Sequence, residues 1–386
     1  MGNISNIDNK CVGCRSCEQK CPKHCITMQP TKEGFFYPVI DDEKCIRCGV
    51  CEKACPVNNT KLHRNNPQEV WAFRNKAEKQ IMQSASGGAA DVACGVVLRQ
   101  GGIVFGAAYD DDLVVKHIAV SDEKGRKKLQ SSKYVQSDIG NCFLETKVAL
   151  QKGQTVLFIG TPCQIAGLYA FLGGDKDNLF TIDLICHGVP SPKLFKKYIE
   201  YQSKCLRGKI ISYNFRSKDK RGWGTQYQIK TKTKIKIRIL SLDRYGKHFM
   251  DGDCYRESCY QCNYANLNRV ADITVGDFWG ILNCHPDFYS SKGVSSVFIN
   301  TDKGKKLFER MKSYADVISA TLEEGKIKQG NLVSPTKRTV ARDSFYIDID
   351  QDDFFDKLSV GLQIKERVKS VIPVSLIKTI KAKIKH

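Results

Sequence analysis

Twice within its first sixty residues the chain repeats one cysteine spacing, CxxCxxCxxxCP: CVGCRSCEQKCP from Cys11 to Pro22 and CIRCGVCEKACP from Cys45 to Pro56. Thiolates are soft ligands suited to iron–sulfur clusters, and this is the spacing in which three Cys of one run hold a [4Fe-4S] cluster while the fourth ligates the other. The pattern predicts Cys11, Cys14, Cys17 and Cys55 around one cluster, and Cys45, Cys48, Cys51 and Cys21 around a second. Short spacings wrap backbone N–H groups toward the sulfurs, and Pro22 and Pro56 turn the chain away from each finished loop. Zinc sites instead pair two CxxC halves at wider separation, with no use for a third Cys or the Pro. Cys25 is left over and reads as a small buried residue.

Two adjacent clusters make an electron-entry module, so an acceptor is expected further along. The stretch TVLFIGTPCQIAGLYAFLGG, 155–174, reads as a buried strand, a tight turn and a helix whose early Pro162 occupies a position where its missing N–H costs nothing. NLFTIDLICHGVPSP, 178–192, supplies the next apolar strand. Strand, helix and strand form a parallel crossover, whose sites lie at the carboxyl ends of the strands. Cys163 and Cys186 both fall there, the former in a first helical turn where the dipole favours a thiolate. In DGDCYRESCYQCNYANLNRVADITVGDFWG, 251–280, Cys259 and Cys262 make a CxxC loop ahead of another strand. With Cys163 and Cys186 it completes four ligands for a third site, with Cys254 as the substitute ligand. Iron–sulfur is favoured over zinc because a redox-inert ion would leave the first two clusters without a local partner. The competing reading is that Cys163 and Cys186 are plain buried thiols.

A Gly-rich turn, SASGG, precedes Ala89, Val92, Ala93, Val96 and Val97 at helical spacing. Such a turn offers free N–H groups and the positive helix end to a phosphate, which makes Ser84, Ser86, Gly87 and Gly88 candidates for a nucleotide cofactor's pyrophosphate, with a plain helix cap as the alternative. From Ile103 onward the pattern predicts strands around an acidic turn at Asp110, Asp111 and Asp112.

The elements that position these residues belong to a 386-residue chain, long enough for two or three domains, with 41% hydrophobic residues. Eighteen Cys in a chain of this length point to metal ligation or redox chemistry rather than a disulfide framework. There is no run of eighteen apolar residues and no secretory signal in MGNISNIDNK, so a cytoplasmic location is expected. The formal charge of +20 is compatible with nucleic acid, an anionic membrane surface or an acidic protein partner. Part of it lies in YQIKTKTKIKIRIL, where Tyr227, Ile229, Ile235, Ile237 and Ile239 alternate with Lys230, Lys232, Lys234, Lys236 and Arg238. That reads as a strand or hairpin with one wet, lysine-lined face. Without aromatic interleaving it is no platform for nucleic acid, and at most a weak contact with a membrane surface is compatible with it.

The segments SASGGAA, GGIVFGAAYD, SSKYVQS, LFIGTPCQIAGL, DLICHGVPSP, SCYQCNYA and ADITVGDFWG together resemble the beta-subunit family of coenzyme F-420 hydrogenases and dehydrogenases, in its variant with an N-terminal two-cluster ferredoxin domain. The resemblance covers about residues 1–300. It implies an α+β ferredoxin-like domain at 1–60 followed by a larger α/β flavin and iron–sulfur domain, with its N-terminal part at 61–154 and its C-terminal part at 155–320. A basic extension would occupy 321–386. It implies FAD beside a [4Fe-4S] cluster on Cys163, Cys186, Cys259 and Cys262, with Ser86, Gly87, Gly88, Lys133, Tyr134 and Thr161 as flavin contacts. Asp277 and Trp279 would border flavin or substrate. The implied activity is that of an oxidoreductase passing electrons from a ferredoxin-type donor or partner redox enzyme to FAD and a small-molecule or glycan-precursor substrate. Deazaflavin reduction and a non-catalytic relay are the alternatives.

Overall fold

Each CxxCxxC run closes on itself by left-handed backbone at equivalent places. Gly13 and Arg15 in the first run, and Arg47 and Gly49 in the second, all have positive φ, from 51° to 73°. Successive residues of this kind turn N–H groups toward one centre and make an anion-binding concavity. The computed structural model, which describes residues 3–59, 62 and 64–371, then starts a short helix after each turn, α1 (Ser16–Lys20) and α2 (Val50–Lys53). Between them β1 (Ile26–Pro30) and β2 (Phe36–Ile40) pair antiparallel. The interior of this module is largely cysteine: Cys11, Cys17, Cys21, Cys25, Cys51 and Cys55 are buried with Ile4, Ile7, Ile26 and Met28, and Phe36, Tyr37, Ile40 and Val57 pack against them.

The larger domain is built on one eight-stranded sheet. Its strands are β3 (Glu69–Asn75), β4 (Ile103–Tyr109), β5 (Val115–Val120), β6 (Val156–Gly160), β7 (Leu179–Leu184), and, after the strands of a second sheet described below, β11 (Ile273–Asp277), β12 (Ser295–Ile299) and β13 (Ala315–Ala320), in the order β13-β3-β12-β11-β7-β6-β4-β5. The middle strands β4, β6, β7 and β11 run parallel, and the outer pairings are antiparallel. The sheet therefore runs across residue 154 without a break. In chain order the helices up to residue 206 are α3 (Glu78–Gln83), α4 (Ala89–Arg99), α5 (Glu123–Leu129), α6 (Cys142–Gln151), α7 (Pro162–Leu172) and α8 (Pro192–Leu206). One face of the sheet packs under α4 and the helix Asp302–Lys312, through Val104, Leu157, Ile182 and Leu307. The other packs under α6 and α7, through Phe105, Phe158, Phe143 and Ile165. Sheets covered on both faces need strands apolar on both sides, which is why 155–160 reads as an unbroken apolar run.

A second, three-stranded sheet, β10-β9-β8, is formed by β8 (Ser212–Asn214), β9 (Gln226–Lys230) and β10 (Ile235–Ile239). It differs from the single apolar face anticipated above. The hairpin pairs Ile229 with Lys236 and Tyr227 with Arg238, so the isoleucines of β10 share a face with Lys230, Gln228 and Gln226. The turn shifts the alternation by one residue between the strands, and Ile235 is left 64% exposed. This sheet and α8 surround an aromatic core, joined by Phe345, Tyr346, Phe354 and Phe355 from the expected basic extension. Residues 341–355 are thus part of the packed fold, and 372–386 of that extension lie outside the described residues. Arg342 also reaches back to the first module, donating to both oxygens of Glu33 at 2.9 and 2.6 Å. Among the described residues no helix is long and apolar enough to cross a membrane.

Candidate functional site

In the first module the thiols gather as the spacing predicts. Burial pushes the Cys14 thiol well above its usual range, and the neighbouring Cys55, Cys17 and Cys11 push it further. Cys25 is raised to about 12 by burial, by the Cys21 sulfur 3.4 Å away, and by Cys45. Cys51 is raised by burial and senses Cys21. The two groups are crossed, one of Cys11, Cys14, Cys17 and Cys55, the other of Cys21, Cys45 and Cys51 with Cys48 on the same loop. Cys25, anticipated as a small buried residue, is buried, and it lies against the second group. Burial and like charge thus disfavour joint ionisation of the first group, whereas Cys21 in the second, against the effect of burial, is lowered by hydrogen bonds from Cys25.

A third group assembles from three segments. Cys163 is the second residue of α7, Cys186 lies two residues beyond β7, and Cys259 and Cys262 flank the end of the short helix Glu257–Tyr260. Burial and then Cys262 raise the Cys163 thiol to about 11; burial, Cys163 and Cys262 raise that of Cys186 to about 12. Cys259 is pushed up by burial and by all three others. Cys254 is elsewhere, fully buried in the aromatic core, which removes it as a substitute ligand. The convergence is held by a buried ion pair that no sequence motif marks: Arg269 donates to Asp183 at 2.8 Å and to the carbonyls of Leu184 and Tyr264. One guanidinium thereby ties the end of β7, ahead of Cys186, to the loop that follows Cys262.

These four thiols open onto a cavity of 650 Å³, within the usual range for a cofactor or small ligand. The starts of α4 and α7 both face it. Ser84, Ser86, Gly88, Lys133, Tyr134 and Thr161 line it, together with Asp277 and Trp279. Gly87 is not in its wall: a Cβ there would come within 2.1 Å of the Phe73 carbonyl, so this glycine lets the turn lie on β3 and β12. The other contacts are partly occupied already. Ser84 and Ser86 hydroxyls donate to the carbonyls of Gln80 and Val294, both at 2.8 Å. Lys133 caps the end of α5, its amine donating to carbonyls of residues 128–131, and burial lowers it to about 7. Thr161 places its hydroxyl 3.2 Å from the Cys163 sulfur.

The far wall is a network the sequence did not reveal. Arg216, buried, donates to both oxygens of Asp277 at 2.8 and 2.7 Å and to the Tyr134 hydroxyl at 3.0 Å. Trp223 donates to Asp277 at 2.5 Å and stacks on Trp279, ring centroids 5.0 Å apart. Nothing local in NFRSKDK marks Arg216, whose partners lie 61 and 82 residues away. On the α7 side, His117 accepts from the Ser137 hydroxyl through Nδ1 (2.8 Å) and donates from Nε2 to the Ile159 carbonyl (3.0 Å); burial lowers its pKa to about 4. Outside this region, Cys284, His285 and Glu324 bring ligand atoms within 4.8 Å of one another. There the Glu324 carboxylate is engaged by the Thr321 N–H of a capping box.

The module docks with its first thiol group inward. Helix α1 lies on α7, where Gly167 has no side chain because a Cβ would meet the Cys14 sulfur at 2.9 Å. Cys14 shares one core with Cys163 and Cys262. The Tyr264 ring lies close enough to feel both the Cys163 and Cys14 thiols, and its hydroxyl donates to Pro56. The second group faces outward: Cys45 and Cys48 are half-buried, and Ile46 between them is 59% exposed.

Residues 153–324 match the family described as the C terminus of the coenzyme F420 hydrogenase/dehydrogenase beta subunit. Residues 10–59 and 37–95 match two families described as 4Fe-4S dicluster domain. No curated protein matches the chain. Among solved structures, a chain of the F420-reducing [NiFe] hydrogenase complex from Methanosarcina barkeri is 18% identical, over 69% of this chain and 89% of that one, with a TM-score of 0.47. That likeness is too slight to assign any residue. The chain is therefore similar over residues 153–324 to the C terminus of coenzyme F420 hydrogenase/dehydrogenase beta subunits and over residues 10–95 to 4Fe-4S dicluster domains, which supports an iron–sulfur oxidoreductase or electron-transfer subunit.

Proposed function

We propose that this iron–sulfur chain carries single electrons inward along three thiol groups to a flavin in the 650 Å³ cavity. The observation that carries the reading is the order of the groups: the half-buried outer one, the inner one against α7 at Gly167, and the four thiols that open on the cavity. Bound [4Fe-4S] clusters would supply one-electron transfer, and FAD the pairing of electrons that most organic reductions require. Cys163, Cys186, Cys259 and Cys262 would hold the third cluster. The N–H groups at the start of α4 and the positive helix ends of α4 and α7 would face the pyrophosphate, and Trp279, backed by Trp223, offers an apolar wall. A ferredoxin-type protein or a partner enzyme would deliver electrons at Ile46, and a small molecule would receive them, with deazaflavin coenzyme among the acceptors.

Protein purified and reconstituted without air, with FAD, should hold about 12 iron atoms if all three groups fill with cubane clusters. Acid treatment should release one flavin per chain. A second reading, a relay subunit without flavin, is favoured by the internal engagement of Ser84, Ser86 and Lys133. Full iron with no flavin released, and no turnover of any small acceptor, would establish the relay. Iron limited to about 8 atoms with zinc at the third group would make that site structural.

A further inference from the structure

Arg256 is 0% exposed, and among the described residues no carboxylate touches its guanidinium. Its side chain donates instead to neutral acceptors: Nε to the Cys11 carbonyl at 2.6 Å, Nη2 to the Phe36 carbonyl at 2.9 Å, and Nη1 to the Gln136 amide oxygen at 3.2 Å. Tyr37 and Phe35 present their rings to it, with centroids 4.1 and 5.6 Å away. The nearest acid in sequence, Glu257, is turned away to Arg338 at 3.0 Å and Arg342 at 3.3 Å. A cation that stays charged under all ordinary conditions and is removed from water calls for a counter-charge. Neutral oxygens satisfy its protons and leave its charge.

Its position identifies where that counter-charge comes from. The guanidinium lies on the first cysteine loop, holding the carbonyl of Cys11 and packing against Gly13, whose Cβ would come within 3.1 Å of Nη1. The backbone of the same residue belongs to the third group, since its carbonyl accepts from the Cys259 N–H at 2.9 Å. Arg256 also lines the same cavity as Cys163, Cys186, Cys259 and Cys262. Arg256 thus spans the inner and third thiol groups, both of which become anionic once their thiols bind iron.

We propose that Arg256 is the shared counter-ion of these two sites, a positioning residue whose fixed charge makes both easier to reduce than the outer one. The proposal rests on the reading that both groups hold clusters. Each one-electron reduction adds a unit of negative charge beside the guanidinium and needs no proton from it. The charge therefore favours the reduced form at both inner positions and draws the electron inward.

The test is a potentiometric titration followed by electron paramagnetic resonance on reconstituted full-length protein, the third-site signal being assigned by its loss in Cys259→Ala. Arg256→Gln should keep its iron and lower the midpoint potentials of the inner and third sites, with reduction about tenfold less favourable at each, which is ~59 mV for one electron. The outer site should not move. Arg256→Lys, which keeps a charge, should shift them less. Gln136→Glu places a carboxylate on the native guanidinium and should lower the same two potentials, which decides the matter if Arg256→Gln loses iron. Unmoved potentials in iron-replete Gln136→Glu and Arg256→Gln would reduce Arg256 to a strap between loops. Absence of iron from the inner or third group of the unmutated protein would instead overturn the cluster reading itself.

Discussion

The two places where this chain collects thiols are built in opposite ways. In the first module all eight motif cysteines come from one short stretch, and five of them, Cys11, Cys17, Cys21, Cys51 and Cys55, share its interior with Ile4, Ile7, Ile26 and Met28. The third group takes its four from three distant segments, fixed by a sheet whose apolar faces are already packed and by the Arg269–Asp183 pair. A region whose interior is so largely cysteine gains cohesion when metal binds, as in small domains that fold on binding metal. A thiol group mounted on a finished sheet is assembled before any metal binds. The difference separates a cofactor that organises its surroundings from surroundings that organise a cofactor.

The most forceful way to break that comparison is to remove iron. Chelation under reducing conditions should abolish protection of amide hydrogens in residues 3–59 while the strands of the eight-stranded sheet keep theirs, read by hydrogen exchange; equal loss in both would dissolve the distinction. Next in size is the pairing within the sheet-mounted site. Asp277→Ala leaves the Arg216 guanidinium, whose side chain is 2% exposed, without its partner. It should lower unfolding free energy by about 3–5 kcal/mol in denaturant titrations, while the spectroscopic signals of the first module survive at low denaturant.

His117 sharpens the comparison through pH. Its folded pKa of about 4 lies below the ordinary 6.5. The stability it contributes is therefore complete above pH 6.5 and is lost as pH falls toward 4, on the order of 3 kcal/mol in total. The difference in unfolding free energy between the natural protein and His117→Gln should move by that amount across this window, and a flat difference would show that the imidazole is not held neutral. The smallest effect is at Cys254. Replacing it with Ala should leave iron content unchanged and cost about 1 kcal/mol, the worth of one small buried group; loss of iron would return it to the ligand set.

What could be read in the sequence follows the same division. Cysteines three and four residues apart declare their ligand pattern because spacing alone brings their sulfurs together. The crossover containing Cys163 and Cys186 was legible from an apolar strand, a helix with Pro162 in its first turn and a second apolar strand. The charged residues that hold the site were not legible, because each acts on something remote: Arg256 on Cys11, 245 residues away, and Arg269 on Asp183, 86 away. Lys133 was singled out only through the family resemblance, as a flavin contact, yet its amine closes a helix end, a choice made by the fold of 128–131. The alternation in 227–239 misled because one turn sets register, and register decides which face every side chain takes.

The Glu33–Arg342 clasp joins residues 309 apart. On a ribosome adding ~5–20 residues per second, the first hairpin waits roughly 15–60 s after its own synthesis before Arg342 is made. Throughout that interval the carboxylate of Glu33 lacks this partner, while Lys193 and Arg256, made earlier, can already reach the hairpin carbonyls of Lys32 and Phe36. A chain that terminates before residue 342 never closes the clasp, so this ion pair between the first module and the helix Ala341–Phe345 forms only after 342 residues have been made.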